Sequence, residues 1–128
     1  DMTTKNPDPK AILTDAHAIE DRVYSAVESS GKNSQISVFR YNGSCPTLNS
    51  IWKGKIKGTL YQGWSGFGAN VVQTAIKVFN KESVAPVIEN PAYVIDKKAM
   101  EQVQAGTFQP QDPTLTVSIN EAISGTCP

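Results

Sequence analysis

The sequence predicts an α/β protein built on a mainly parallel sheet flanked by helices. Short apolar runs alternate with stretches whose apolar residues recur at helical spacing. Glycine, proline and asparagine punctuate nearly every junction. At 128 residues the chain is long enough for one domain with its own core.

Asn6-Pro7-Asp8-Pro9 reads as a turn, and Ala11-Ile12-Leu13-Thr14 as the first buried strand. Thr14 or Asp15 then caps a helix in which Ile19, Val23, Ala26 and Val27 line one face, with Gly31 ending it. Gln35–Phe39 is a second strand, closed by the turn pair Asn42-Gly43. Leu48, Ile51 and Trp52 predict a short helix stopped at Gly54. The third strand runs from Ile56 to Tyr61. Gly63-Trp64-Ser65-Gly66 reads as a flexible corner, and Phe67–Asn80 as a helix with Val71, Val72, Ala75, Ile76 and Phe79 on its apolar stripe. Pro86–Pro91 and Tyr93–Ile95 look extended. Lys97–Gln104 is a short helix ending at Gly106, and Leu115-Thr116-Val117-Ser118-Ile119 reads as a final strand.

Composition removes several functions. Hydrophobic residues make up 39% and charged residues 19%, which is ordinary for a globular chain. The apolar runs are far shorter than the roughly 20 residues that span a bilayer. Twelve basic and twelve acidic residues cancel, so no basic excess marks a nucleic-acid partner. Lys53, Lys55 and Lys57 look like the exposed rim of a turn. Cys45 and Cys127 do not form a redox C-x-x-C pair; a disulfide between them and two buried thiols both remain open. His17 is the only histidine, so there is no ligand set for a structural zinc, and no Cys–His or carboxylate pair stands out. No catalytic motif is complete: Gly63-Trp64-Ser65-Gly66-Phe67 lacks the last glycine of a nucleophile elbow, and Gly66-Phe67-Gly68 does not complete a dinucleotide fingerprint. The expectation is a non-enzyme without metal or cofactor.

In parallel sheets, ligands bind beyond the carboxyl ends of the strands. Those positions hold Asp15, then Arg40 to Asn42, then Gln62 to Trp64. Amides and carboxylates suit a polyhydroxy ligand, and an aromatic face covers the apolar side of a sugar ring. Trp64 is the favoured platform; Tyr61, Tyr41 and Phe39 are the others. Each has a plainer reading beside it. Asp15 serves as a helix cap, Asn42-Gly43 as a tight turn or, with Ser44, an accidental sequon, Gln62 as a surface residue, and Trp64 as core or hinge packing. Arg40 suits an anionic or polyhydroxy ligand or pairs with a carboxylate.

Four stretches carry a resemblance. Pro9–Asp15 resembles the "strand, then Asn/Asp at the tip" segment of type I periplasmic sugar-binding proteins. Val38-Phe39-Arg40-Tyr41-Asn42-Gly43 resembles their "V-G-F-D-G" segment. Ile51–Gln62 resembles "I-x-x-G-x-I-x-A-T-I-x-Q", and the stretch from Gly68 to Ile95 resembles their closing segment. Order and spacing hold over about residues 9 to 96. The resemblance is to ribose-binding-like solute receptors of ABC importers, and it implies a periplasmic-binding-protein-like fold of two lobes, here incomplete.

It implies ligand contacts at Asp15 (with Thr14 or Ala16 as alternatives in register), at Asn42 in place of the usual Asp, and at Gln62. The Asp-to-Asn exchange puts ribose itself in doubt and leaves other sugars and polyols open. It further implies that residues 1–59 and 84–106 belong to the C-terminal lobe, that 60–83 belong to the N-terminal lobe, and that 107–128 form a tail beyond the match. The start at Asp1 fits a processed secreted protein or a fragment, and the segments favour a fragment. Expected partners are a small sugar or polyol, the N-terminal half as a separate or cleaved chain, and a membrane permease, in the periplasm. The competing expectations are the effector domain of a LacI-type repressor, and a ligand sensor for a chemoreceptor or kinase.

Overall fold

The computed structural model describes residues 5–6, 8–15 and 20–128. Ala16, His17 and Ile19 lie outside the described residues. In chain order the elements are β1 (Ala11–Thr14), α1 (Glu20–Ser29), β2 (Ser37–Tyr41), α2 (Cys45–Trp52), β3 (Gly58–Tyr61), α3 (Trp64–Phe79), β4 (Tyr93–Asp96), α4 (Lys97–Gln104) and α5 (Pro113–Ser124). The sheet order is β1-β2-β3-β4. β1, β2 and β3 are parallel, and β4 returns antiparallel to β3.

Strand parity decides which residues are buried, because successive side chains face opposite ways. Ile12 and Thr14, Val38 and Arg40, Thr59 and Tyr61, and Ile95 are buried on one face. The residues between them face the other way, where Leu13 is 72% and Val94 74% exposed. The buried face packs into a single cluster with Val27 of α1, Leu48 and Ile51 of α2, Met100 and Val103 of α4, and Leu115, Ile119 and Ala122 of α5. Among the described residues, helices therefore cover one face of the sheet and leave the other bare.

α3 stands apart. No residue in it is buried, and Val71, Val72, Ile76 and Phe79 are exposed along the stripe that its sequence marks as apolar. The helix begins at Trp64 rather than Phe67, so the corner is narrower than its glycines suggest. Only Gly63 makes the turn, at φ 63°, where a Cβ would stand 3.2 Å from the Pro91 carbonyl oxygen.

The strand expected at Leu115–Ile119 is a helix. Asp112 accepts the Thr114 amide at 2.9 Å as N-cap, Pro113 occupies the first turn, and Gly125 ends the helix in the left-handed region. The alternating Leu-Thr-Val-Ser-Ile run imitates a strand. Leu115, Ile119 and Ala122 nonetheless fall on one helical face, and packing on α2 decides the outcome. Cys45 at the start of α2 is bonded to Cys127, with their Cα atoms 5.6 Å apart. The Cys45 sulfur lies 3.6 Å from the Ser118 carbonyl, and the Asn49 amide donates to the Ala122 carbonyl at 2.6 Å. The segment from 107 onward is thus part of the core. Lys53, Lys55 and Lys57 are exposed around the Gly54 turn.

Candidate functional site at the strand tips

Parallel pairing brings the carboxyl ends of β1, β2 and β3 to one edge of the sheet. Thr14, Arg40 and Thr59 stand in one row across them; β1 ends there, while Tyr41 and Leu60 add one further pair before β2 and β3 run out. Asp15 leaves β1 there, exposed to solvent.

β2 ends in a tight reversal. Asn42 has φ 86° and Gly43 φ 59°, two left-handed residues in succession. Asparagine tolerates this region better than most side chains. Glycine is required at 43, because a Cβ would meet the Tyr61 ring at 3.0 Å and the Thr59 methyl at 3.2 Å. The Asn42 amide donates to the Leu60 carbonyl at 2.9 Å, which pins the tip of β2 to β3. Its side-chain oxygen is buried and has no hydrogen-bond partner among the described residues. A buried acceptor in that state is costly and is relieved by a donor from a ligand or water.

Gln62 follows β3, and its side-chain nitrogen donates to the Tyr41 hydroxyl. That bond occupies the NH2 end of the amide and leaves its oxygen as an acceptor. The Trp64 indole N–H approaches the Asn42 carbonyl at 3.5 Å, and its ring meets Phe67 edge-on with centroids 6.2 Å apart. Trp64 is 46% exposed, so one side of the indole stays open. Tyr41, Asn42, Gln62 and Trp64 therefore form one connected group at the strand tips. Its free acceptors are amide oxygens and its apolar element is an indole, a set that takes hydroxyl donors and a C–H face.

Arg40 is not brought to this group. It shares parity with Val38 and lies on the helix-covered face, 4% exposed. There it lines a separate cavity of about 220 Å³ with Tyr24, Glu28, Ser50 and Lys55. Burial lowers its guanidinium pKa to about 10, which leaves it charged at neutral pH. The parity that sets this placement was readable from Val38, two residues earlier.

One group near the site went unrecognised in the sequence. Tyr61 is buried, and its hydroxyl donates to the Asp112 carboxylate at 3.2 Å while lying 3.0 Å from the Thr114 hydroxyl. The Gln111 amide donates to the Tyr93 hydroxyl at 3.1 Å. The Asp112-Pro113 pair is a helix-start signal that would have located α5, but nothing local points it at Tyr61.

No family model and no curated protein matches the chain by sequence. Solved structures do match by fold. GanP, a glucose-galactose binding protein from Geobacillus stearothermophilus, superposes with TM-score 0.66 at 22% identity, over 76% of this chain and 35% of its own. A carbohydrate transporter solute-binding protein from Agrobacterium radiobacter, in complex with D-arabinose, gives TM-score 0.66 at 22% identity, over 94% and 37%.

The fold is periplasmic-binding-protein-like, and incomplete.

This periplasmic-binding-protein-like fold also occurs outside solute receptors: a putative LacI transcriptional regulator from Bacteroides fragilis matches with TM-score 0.58 at 17% identity, over 79% and 35%. The chain spans little more than a third of the length of the structures it matches. No helix among the described residues is long and apolar enough to cross a membrane.

Proposed function

We propose that the chain is a solute-binding component of an ABC-type importer and contributes one side of an inter-lobe cleft for a small sugar or polyol. The single observation that carries this reading is the Tyr41–Asn42–Gln62–Trp64 group. It offers unengaged amide acceptors beside an open indole, at the edge where parallel sheets receive ligands. Asp15 adds a carboxylate at the same edge. Solute-binding proteins of this fold are seen with D-arabinose and with D-allose bound.

In this reading residues 1–59 and 84–106 build one lobe, and 60–83, with α3, reach into a second. The rest of that lobe comes from the N-terminal half of the protein, which covers the stripe that α3 exposes. Closure about the Gly63 corner then encloses the ligand, and a permease reads the closed form outside the cytoplasm.

The test is calorimetric titration of the whole protein with arabinose, allose, glucose and galactose. Gln62→Ala and Asn42→Ala should each weaken the sugar that binds by about 1–3 kcal/mol, the cost of unpaired hydroxyls. Unchanged affinity in both variants removes the strand tips from the site. A second reading, the effector domain of a repressor, is favoured by the likeness to the Bacteroides regulator. It predicts the same sugar binding together with sugar-dependent release from DNA.

A further inference from the structure

The group around Asp112 joins three separate stretches of chain at the point where α3 leaves the sheet. Tyr61 is the last residue of β3, and Tyr93 is the first of β4 and its register partner. Asp112 grips the first through its hydroxyl at 3.2 Å, and the neighbouring Gln111 amide holds the second at 3.1 Å. Phe108 packs edge-on against Tyr93, with centroids 6.2 Å apart. A Cβ placed on Gly63 would come within 3.7 Å of the same Asp112 carboxylate, so the outgoing turn is directly alongside.

The gripping segment is itself held at its far end. α5 begins at Asp112 and is tied to α2 by the Cys45–Cys127 disulfide and the Asn49 bond to Ala122. The Asp112 carboxylate accepts from the Tyr61 hydroxyl, from the Thr114 amide at 2.9 Å, from the Thr114 hydroxyl at 2.6 Å, and from the Ser65 side chain at the start of α3. A carboxylate fixed by its own helix cap is a rigid point from which to hold a neighbouring strand.

We propose that Asp112 is a positioning residue for the strand-tip site: through the Tyr61 hydroxyl it fixes the end of β3, and with it the place of Gln62 and of the Gly63 corner. The carboxylate does not touch the ligand. It sets where Gln62 stands and how α3 leaves the lobe, with the disulfide-anchored α5 as its support. Naming Gln62 a sugar contact rests on the proposed function; the fixing of β3 does not.

Amide hydrogen exchange of the whole protein, followed residue by residue without ligand, tests the fixing directly. Asp112→Ala should speed exchange at Tyr61, Gly63, Tyr93 and Val94 by at least tenfold, with the β1–β2 pair unchanged. Tyr61→Phe removes only the hydroxyl and should reproduce the effect without disturbing the α5 cap. Asp112→Asn keeps an acceptor oxygen and should restore most of the protection. Unchanged exchange at those four amides, or an equal rise across β1 and β2, overturns the proposal. Titrating the same variants with sugar separates the two claims. Localised loosening in a protein that binds no sugar upholds the positioning and sinks the sugar site; sugar binding with no localised loosening does the reverse.

Discussion

The body of the fold and α3 are made of similar residues and meet opposite fates. α2 and α5 bury Leu48, Ile51, Leu115, Ile119 and Ala122 completely or almost so, and are cross-linked besides. α3 is twice the length of α2 and carries an apolar stripe, yet no residue in it is buried. A helical period reports a face that needs covering; it does not say by what. In the body the cover is elsewhere in the same chain, with contacts that reach across 73 and 82 positions. For α3 the described residues supply only a partial cover: Ile88 and Asn90 lie along it and, with Phe67 and Val71, line a groove of about 400 Å³.

Breaking the covalent staple should separate the two regions most. Replacing both Cys45 and Cys127 with serine removes a cross-link spanning 82 positions. The loss should be up to about 4 kcal/mol, read as a lower urea midpoint. Exchange within α3 should not change. If α3 loosens together with the body, the two are one cooperative unit and the contrast fails.

Packing gives a finer comparison. Leu115→Ala, at a fully buried site, should cost about 3 kcal/mol in chemical denaturation. Val72→Ser, at a site 59% exposed, should stay within about 0.5 kcal/mol in this chain. A large cost at Val72 would mean that α3 is covered in solution, and would identify the contact to look for.

Acid should act on the body in part through Asp112, a smaller effect. Burial raises the pKa of Asp112, but hydrogen bonds from Thr114, Ser65 and Tyr61 outweigh it and hold the group below the ordinary value of 3.8. A lowered folded pKa means that the stabilisation is complete above about pH 4 and is lost as pH falls through 3.8 toward the folded value. Denaturation midpoints compared at pH 6 and pH 3 should fall less in Asp112→Asn than in the parent. Equal falls in the two proteins would show that Asp112 carries none of the acid sensitivity.

Much of this was legible in the sequence, for physical reasons that mark the limits too. β1, α2 and α4 follow from local signals: an apolar run, Leu48 and Ile51 one turn apart, and the Gly106 stop after Gln104. α5 was misread because five residues of alternating polarity outweighed the Asp112-Pro113 start. That Asn42 and Gln62 stand at strand tips is readable because topology sets those positions. Arg40 adjoins Tyr41 in the sequence, but their side chains leave β2 on opposite faces, and Arg40 goes to the helix-covered one. The Tyr61–Asp112 contact spans 51 positions and leaves no local trace.

The late position of α5 also bears on how the protein is made. A ribosome finishes α2 long before it reaches the residues that close over it: the Asn49 side chain waits 73 positions for the Ala122 carbonyl. At ordinary translation speeds that is roughly 4 to 15 seconds. Until α5 is made, Leu48 and Ile51 lack the Leu115, Ile119 and Ala122 side of their packing, and Cys45 lacks its disulfide partner. Yield in a foreign host should therefore depend on slow-phase chaperone supply and on how soon an oxidising compartment receives the nascent chain.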